Sequence, residues 1–167
     1  MLRTLYLAAL AMALIFGGAA RADVADKYKE VSADLVKAGD YAQIQDDADG
    51  AKRLYEQALA ANPKNVDAFF ALAKLHEAEG RVGTGLKYYR LTLSLEPNHL
   101  SALERQALAF LKKDSLEKAE KNLAKLKRLC QTDGCTELES VETAILDHRR
   151  TALNETSVTI TDTEAQN

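Results

Sequence analysis

Apolar side chains recur every three or four residues along most of this chain, which is the spacing of an amphipathic helix. In the centre of the chain, Phe69, Leu72 and His76 occupy positions i, i+3 and i+7 and therefore share one helical face. A second apolar stripe surrounds Tyr89 and ends before Pro97. The segment between the two stripes predicts a turn, so the centre of the chain is expected to form a helix-turn-helix unit.

Small residues and prolines occur at defined places in this unit. Ala73 and Gly85 allow two helix backbones to lie close together, and Gly80 suits the left-handed residue that ends the first helix. Pro63 and Pro97 bound the unit. The order of these residue types, and the separation of the two prolines, resemble the tetratricopeptide repeat, which has a length of about 34 residues. The resemblance implies an all-α array of helical hairpins.

The same pattern extends to both sides of the central unit. A repeat domain is predicted over residues 23–150, with about three repeats and a C-terminal capping helix. A disordered tail is predicted after it, because the last residues are polar and lack apolar periodicity. The predicted parts are the repeats at about 24–63, 66–99 and 100–130, the cap at 136–150 and the tail at 151–167.

The first repeat is predicted to begin with a helix that carries Tyr28, Val31 and Leu35 on one face and ends at Gly39 and Asp40. On this reading residues 40–50 are an insertion. They either lengthen the second helix or form a loop, since the aspartates in this stretch are poor helix formers.

The N-terminal segment has the three parts of a secretory signal peptide. Arg3 opens a basic region, an apolar run follows from 5 to 20, and small residues surround Arg21. Cleavage after Ala22 is predicted, and residues 1–22 are therefore excluded from the folded domain. The apolar run is shorter than the roughly 20 residues that span a bilayer, so no membrane insertion is expected after cleavage.

Cys130 and Cys135 bracket a turn after the third repeat. In an exported chain, a close and even pair of cysteines predicts a structural disulfide. A redox-active pair would have the tighter C-x-x-C spacing, and a zinc site would need two more ligands nearby. A purely structural role is therefore preferred to a redox or zinc-binding role.

The segment 119–130, the second cysteine and the helix that follows resemble the C-terminal part of small exported tetratricopeptide proteins of alphaproteobacteria. This resemblance implies a periplasmic protein that binds a protein or peptide segment as an adaptor or scaffold. The alternative is a structural subunit that self-associates or joins an envelope complex through its convex face.

Family resemblance also implies where such a segment would bind, because the first helices of tetratricopeptide repeats line a concave groove. Phe70 beside Lys74 suggests an apolar anchor with a cation near it, and packing of Phe70 on the next repeat is the competing interpretation. The groove candidates are Lys29, Asp67, Phe70, Lys74, Glu77, Asn98, His99, Glu104, Leu108 and Lys112.

Several other function classes find little support. A net charge of −3 predicts no general attraction to nucleic acid. No nucleophile, base and stabiliser fall into a catalytic pattern, so neither an enzyme nor a cofactor is expected. The series Asp47, Asp49, Gly50 and Glu56 has part of the spacing of a calcium loop, but Gln45 stands at its first ligand position. No metal site is therefore predicted.

Overall fold

A computed structural model describes the backbone of residue 24 and of residues 26–130 and 134–164, and the side chains as far as residue 154. These residues form helices and turns, with no strand among them. The predicted all-α fold is confirmed. The seven helices of this part of the chain are α1 (26–44), α2 (Ala48–Ala61), α3 (Val66–Ala78), α4 (Val82–Leu95), α5 (Leu100–Leu111), α6 (Leu116–Leu129) and α7 (Thr136–Glu164).

The helices repeat with the period predicted from the two prolines. Helices α2, α4 and α6 each have 14 residues, and their first residues are one repeat length apart. The turn before each of them contains a residue with positive φ, namely Asp46 at 61°, Gly80 at 76° and Asp114 at 52°. Gly80 was predicted in this role, whereas two aspartates adopt it in the other turns, as Asp tolerates the left-handed region better than most residues.

This period corrects the predicted end of the first helix. Helix α1 does not end at Gly39 and Asp40 but continues to residue 44. Gly39 lies inside the helix, at a point where a Cβ would come within 2.5 Å of the Tyr55 ring. Gly39 therefore allows the Tyr55 ring to lie close to α1 and does not end the helix.

Residues 40–50 are consequently not an extension of α2, and the alternative of a loop is confirmed only as a short turn at residues 45–47. They contain the end of α1, a short turn and the start of α2 at Ala48. Asp47 accepts a hydrogen bond from the Gly50 amide at 2.8 Å and so caps α2. The first repeat spans about 32–65, and the extra length of α1 precedes it.

The chain divides into two compact units, Met1–Ala68 and Phe69–Asn167, with the boundary inside α3. In the first unit, the Ser32 hydroxyl donates to the Ala58 carbonyl oxygen at 2.7 Å, and the Asn65 amide donates to the Ser32 hydroxyl at 2.7 Å. The Asn65 side-chain oxygen in turn accepts from the Ala68 amide at 3.0 Å and caps α3. Buried polar atoms thus join α1, α2 and the start of α3.

In the second unit, α3 and α4 approach closely at the predicted place. A Cβ on Gly85 would lie 3.1 Å from the Ala73 carbonyl oxygen, so a side chain at this position would fit only if the neighbouring backbone moved by a few tenths of an ångström. Helix α5 packs against α4, α6 and α7. The main apolar core there is formed by Leu103, Ala107, Leu111, Ala119, Leu126, Val141 and Ile145.

The structure of the C-terminal part agrees only in part with what the sequence predicts. The structure joins Cys130 and Cys135 by a disulfide, with 5.7 Å between their Cα atoms. Helix α7 continues to Glu164, beyond the boundary predicted at 150. The predicted signal peptide lies outside the described residues. Among the described residues, no helix is both long enough and apolar enough to cross a membrane.

Candidate functional site

Phe70 of α3 lies at the centre of an aromatic cluster with Tyr89 of α4 and His99, which precedes α5. Its ring centroid is 4.8 Å from that of His99 and 6.0 Å from that of Tyr89. The Lys74 ammonium lies 5.2 Å from the Phe70 centroid, within the range of a cation–π interaction. Phe70 is only partly buried. Part of the side chain therefore packs on its neighbours, and part remains open to solvent beside a cation.

His99 holds its position through the backbone of α5. Its Nδ1 accepts a hydrogen bond from the Ala102 amide at 3.2 Å and caps the helix. Because Nδ1 is the acceptor, the neutral ring carries its proton on Nε2. The residue one repeat earlier, Asn65, caps α3 in the same way. The repeat thus places the His99 ring against Phe70 through a helix cap.

Glu77 was predicted to line the groove, but its carboxylate is buried and bound within the protein. Only 6% of the side chain is exposed. Tyr89 donates to one carboxylate oxygen at 2.7 Å, and the Lys112 ammonium donates to the other at 2.6 Å. Burial and then the hydrogen bond to Glu77 raise the pKa of Tyr89 far above its usual range. Glu77 and Lys112 therefore join α3 to α5.

Leu108 lines an open cavity between α5 and α7. This cavity has a volume of about 470 Å³. Opposite Leu108, the lining of this cavity comes from α7 and includes Glu139, Ser140, Thr143, Ala144 and Asp147. Most of these residues are polar. The cavity thus combines an apolar contact point with hydroxyls and carboxylates.

The other predicted residues lie outside these two places. Asn98 is exposed in the turn before α5, and Glu104 is partly buried on α5. Lys29 and Asp67 belong to the first unit, where both side chains are exposed. By the repeat period, the equivalent of Phe70 in the first repeat is Val36, so the groove candidate Lys29 does not occupy the position of Phe70.

The lining contributed by α7 was not predicted, although the sequence contained a signal for it. Three residues of α7 lie one repeat length and one further residue after groove candidates. They are Glu139, Thr143 and Asp147, which follow Glu104, Leu108 and Lys112 respectively. The prediction treated α7 as a cap and considered only its apolar positions. Placing α7 in register with α5 would have identified this face.

Among the residues that the structure describes, no group of three or more His, Cys, Asp or Glu side chains is arranged to hold a metal ion. Asp47 of the partial calcium motif acts as a helix cap instead. His76 is buried, as expected for a core position, and stacks on Tyr88 with 5.2 Å between ring centroids.

Comparison with known proteins points to one fold. A tetratricopeptide repeat family model matches residues 35–84. No match was found among curated proteins. Among solved structures, 108 chains match. The chain thus has an all-α helical repeat fold of the tetratricopeptide type.

Three of these structures illustrate the likeness. A tetratricopeptide repeat protein from Parabacteroides merdae has a TM-score of 0.65 and 21% identity, and the match covers 72% of this chain and 46% of that one. The first tetratricopeptide domain of Spaghetti (RPAP3), bound to an HSP90 peptide, has a TM-score of 0.61 and 20% identity, with 71% and 98% covered. MamA has a TM-score of 0.56 and 21% identity, with 60% and 55% covered. The chain therefore spans about half the length of two of the three.

Proposed function

We propose that this protein is a non-enzymatic adaptor or scaffold that binds a protein or peptide segment on the face of the second unit that carries Phe70. The observation that carries the proposal is the partly open Phe70 ring with the Lys74 ammonium 5.2 Å from its centroid. The Phe70 ring provides apolar contact area for a partner. The Lys74 ammonium beside it is available to an anionic or carbonyl group of that partner. A fold that is used for peptide binding elsewhere, as in the RPAP3 domain, supports this reading.

We place this activity in the periplasm. The N-terminal segment has the charge, apolar run and small residues of a signal peptide. The disulfide between Cys130 and Cys135 fits an oxidising compartment, since such bonds are rare in the cytosol. Fusion of residues 1–22 to a reporter that is active only after export tests this location.

The binding proposal is tested by comparing three forms of the protein, each immobilised at the same density and exposed to periplasmic extract. Phe70→Glu puts a charge into the aromatic cluster. Lys52→Glu is the control, because Lys52 lies on α2 in the first unit, outside that cluster. We expect the partner captured by the wild type to be lost from Phe70→Glu and kept by Lys52→Glu. Equal capture by all three forms would contradict the proposal.

Self-association is the second candidate, and it has its own observation. Several large apolar side chains of the described residues are exposed. They include Val24 at 54% and Tyr28 at 56% near the start of α1, and Leu146 at 59% and Leu153 at 71% on α7. Such side chains favour contact with another surface. Sedimentation of the purified protein over a range of concentrations separates the two candidates, because Phe70→Glu should leave self-association unchanged.

A further inference from the structure

The cavity between α5 and α7 has an acidic lining without a basic counterpart among its own residues. Glu139 and Asp147 provide two carboxylates, and Ser140 and Thr143 add hydroxyls. No Lys or Arg lines the cavity. A ligand that fills it must therefore complement negative charge.

Neighbouring cations do not remove this charge. Arg150 pairs with Asp147 at 3.0 Å, but both side chains are largely exposed, at 72% and 60%, so water screens the pair. Lys112 follows Leu108 by about one helical turn, but its ammonium is bound to Glu77 on α3. The acidic character of the cavity is thus available to a ligand.

Apolar contact is available between the two carboxylates. Leu108 and Ala144 line the same cavity and are partly buried. Glu139 and Asp147 lie about two helical turns apart on α7, which corresponds to about 12 Å along the helix. In an extended peptide, two residues four positions apart are separated by about 13 Å and point to the same side.

We propose that this cavity binds a basic segment of a partner protein, in which two Lys or Arg residues four positions apart flank a small or aliphatic residue. The cations would face Glu139 and Asp147, and the residue between them would contact Leu108 and Ala144. This inference rests on the proposed function and names the chemistry of the bound segment.

The chain's own C-terminal residues are a poor occupant on grounds of charge. Residues 151–167 contain Glu155, Asp162 and Glu164 but no Lys or Arg. A segment of this composition is repelled by the carboxylates that line the cavity. A basic segment of another protein is favoured by the same electrostatics.

The test measures binding of two short peptides to the purified protein, expressed with its own N-terminal segment so that any processing occurs naturally. The probes are Lys-Ala-Leu-Ala-Lys and Glu-Ala-Leu-Ala-Glu, with blocked ends and a neutral fluorophore, followed by anisotropy at low salt. We expect the basic peptide to bind at least about tenfold more tightly, and this preference to fall with added salt.

Two sets of variants make the test specific. Glu139→Lys with Asp147→Lys should invert the preference, and Glu139→Gln with Asp147→Asn should abolish it. The matched control, Glu56→Lys with Glu96→Lys, makes the same total change in charge at exposed sites outside the cavity. It should keep the preference for the basic peptide. Circular dichroism checks that each variant remains helical.

Three outcomes would overturn the inference. They are equal or absent binding of the two peptides by the wild type, loss of preference in the control to the same degree as in the reversed variant, and unchanged preference after reversal. The proposed function can survive each of them. If Phe70→Glu still loses the natural partner while the reversed cavity variant keeps it, binding occurs at the Phe70 cluster and not in this cavity.

Discussion

Tyr55 and Tyr89 occupy the same position in successive repeats, and each is fully buried, yet their hydroxyls have different partners. Tyr55 donates to Asp40 at 2.8 Å and lies 3.1 Å from the side-chain oxygen of Gln43. Tyr89 donates to Glu77 at 2.7 Å. Gln43 and Glu77 are themselves one repeat apart. The two repeats thus differ by an amide and a carboxylate at one equivalent position.

That difference changes what each repeat requires. Gln43 is neutral, and its side-chain oxygen lies near the Tyr55 hydroxyl within the first repeat. Glu77 is an acid with a side chain that is 6% exposed, and burial of a carboxylate is costly unless several donors satisfy it. Lys112 supplies the additional donor from the next repeat. The Glu77 carboxylate therefore connects two repeats, whereas the contact of Gln43 with Tyr55 lies within one repeat.

The largest expected effect is loss of stability at high pH. Burial, followed by hydrogen bonds to Asp40 and Glu77 respectively, raises the pKa of Tyr55 and of Tyr89 far above the usual value of about 10. Above that value the unfolded state loses protons that the folded state keeps. The contribution of these tyrosines to the free energy of unfolding is thus fully present below about pH 10. It falls above that pH, by about 1.4 kcal/mol per tyrosine at pH 11. Urea unfolding at pH 9, 10 and 11 measures this loss. Tyr55→Phe and Tyr89→Phe should each remove about half of it, and an unchanged pH dependence in both variants would be inconsistent with the raised pKa values.

At neutral pH, Tyr89→Phe should lower the free energy of unfolding by about 2 kcal/mol. The variant leaves a buried carboxylate oxygen of Glu77 without its hydroxyl donor. Urea unfolding checks the prediction, and Tyr41→Phe is the control because Tyr41 is 65% exposed. A loss no greater than that of the control would show that the hydrogen bond to Glu77 has little net effect.

Tyr55→Phe should have a smaller effect, about 1 kcal/mol or less, when measured in the same way. Its partner Asp40 is exposed, so water can replace the lost hydroxyl. The order of the two variants matters more than either value. If Tyr55→Phe cost more than Tyr89→Phe, the contrast between the exposed and the buried acceptor would be wrong.

The smallest effect is expected from Glu77→Gln, which makes the second repeat resemble the first. The amide oxygen can still accept from Tyr89, and the lost partner Lys112 is 55% exposed. We expect a change of less than about 1 kcal/mol together with weaker dependence of stability on salt. Unfolding at low and high salt measures both. A loss of about 2 kcal/mol or more would mean that the repeat needs the charge itself.

The reverse exchange, Gln43→Glu, should destabilise the first unit because the new carboxylate lies close to Asp40.

The second repeat could be predicted closely from the sequence, whereas the first could not. Ala73, Gly80 and Gly85 have the predicted roles because small residues and turns occur there in an order that few other structures require. In the first repeat, Gly39 followed by Asp40 also fits a helix end, and the sequence does not distinguish termination from close approach of the Tyr55 ring. The spacing of Tyr55 and Tyr89 was the signal that resolves this ambiguity.

The candidate sites were predictable to a lesser degree. The position of Phe70 beside Lys74 follows from their spacing of four residues on one helix. The pairing of Glu77 with Lys112 depends on how α3 and α5 pack, which helix periodicity alone does not determine. The acidic lining of the cavity at Leu108 was missed because α7 was treated only as a cap, although its register with α5 indicates the face that carries Glu139 and Asp147.

Site-specific photo-crosslinking in intact cells tests whether the Phe70 face binds a partner. One form of the protein carries a photoreactive amino acid at position 70, and a second carries it at position 52 on α2. We predict that one partner protein is attached from position 70 and is not attached from position 52. Attachment of the same proteins from both positions, or of copies of this chain alone, would contradict binding on this face.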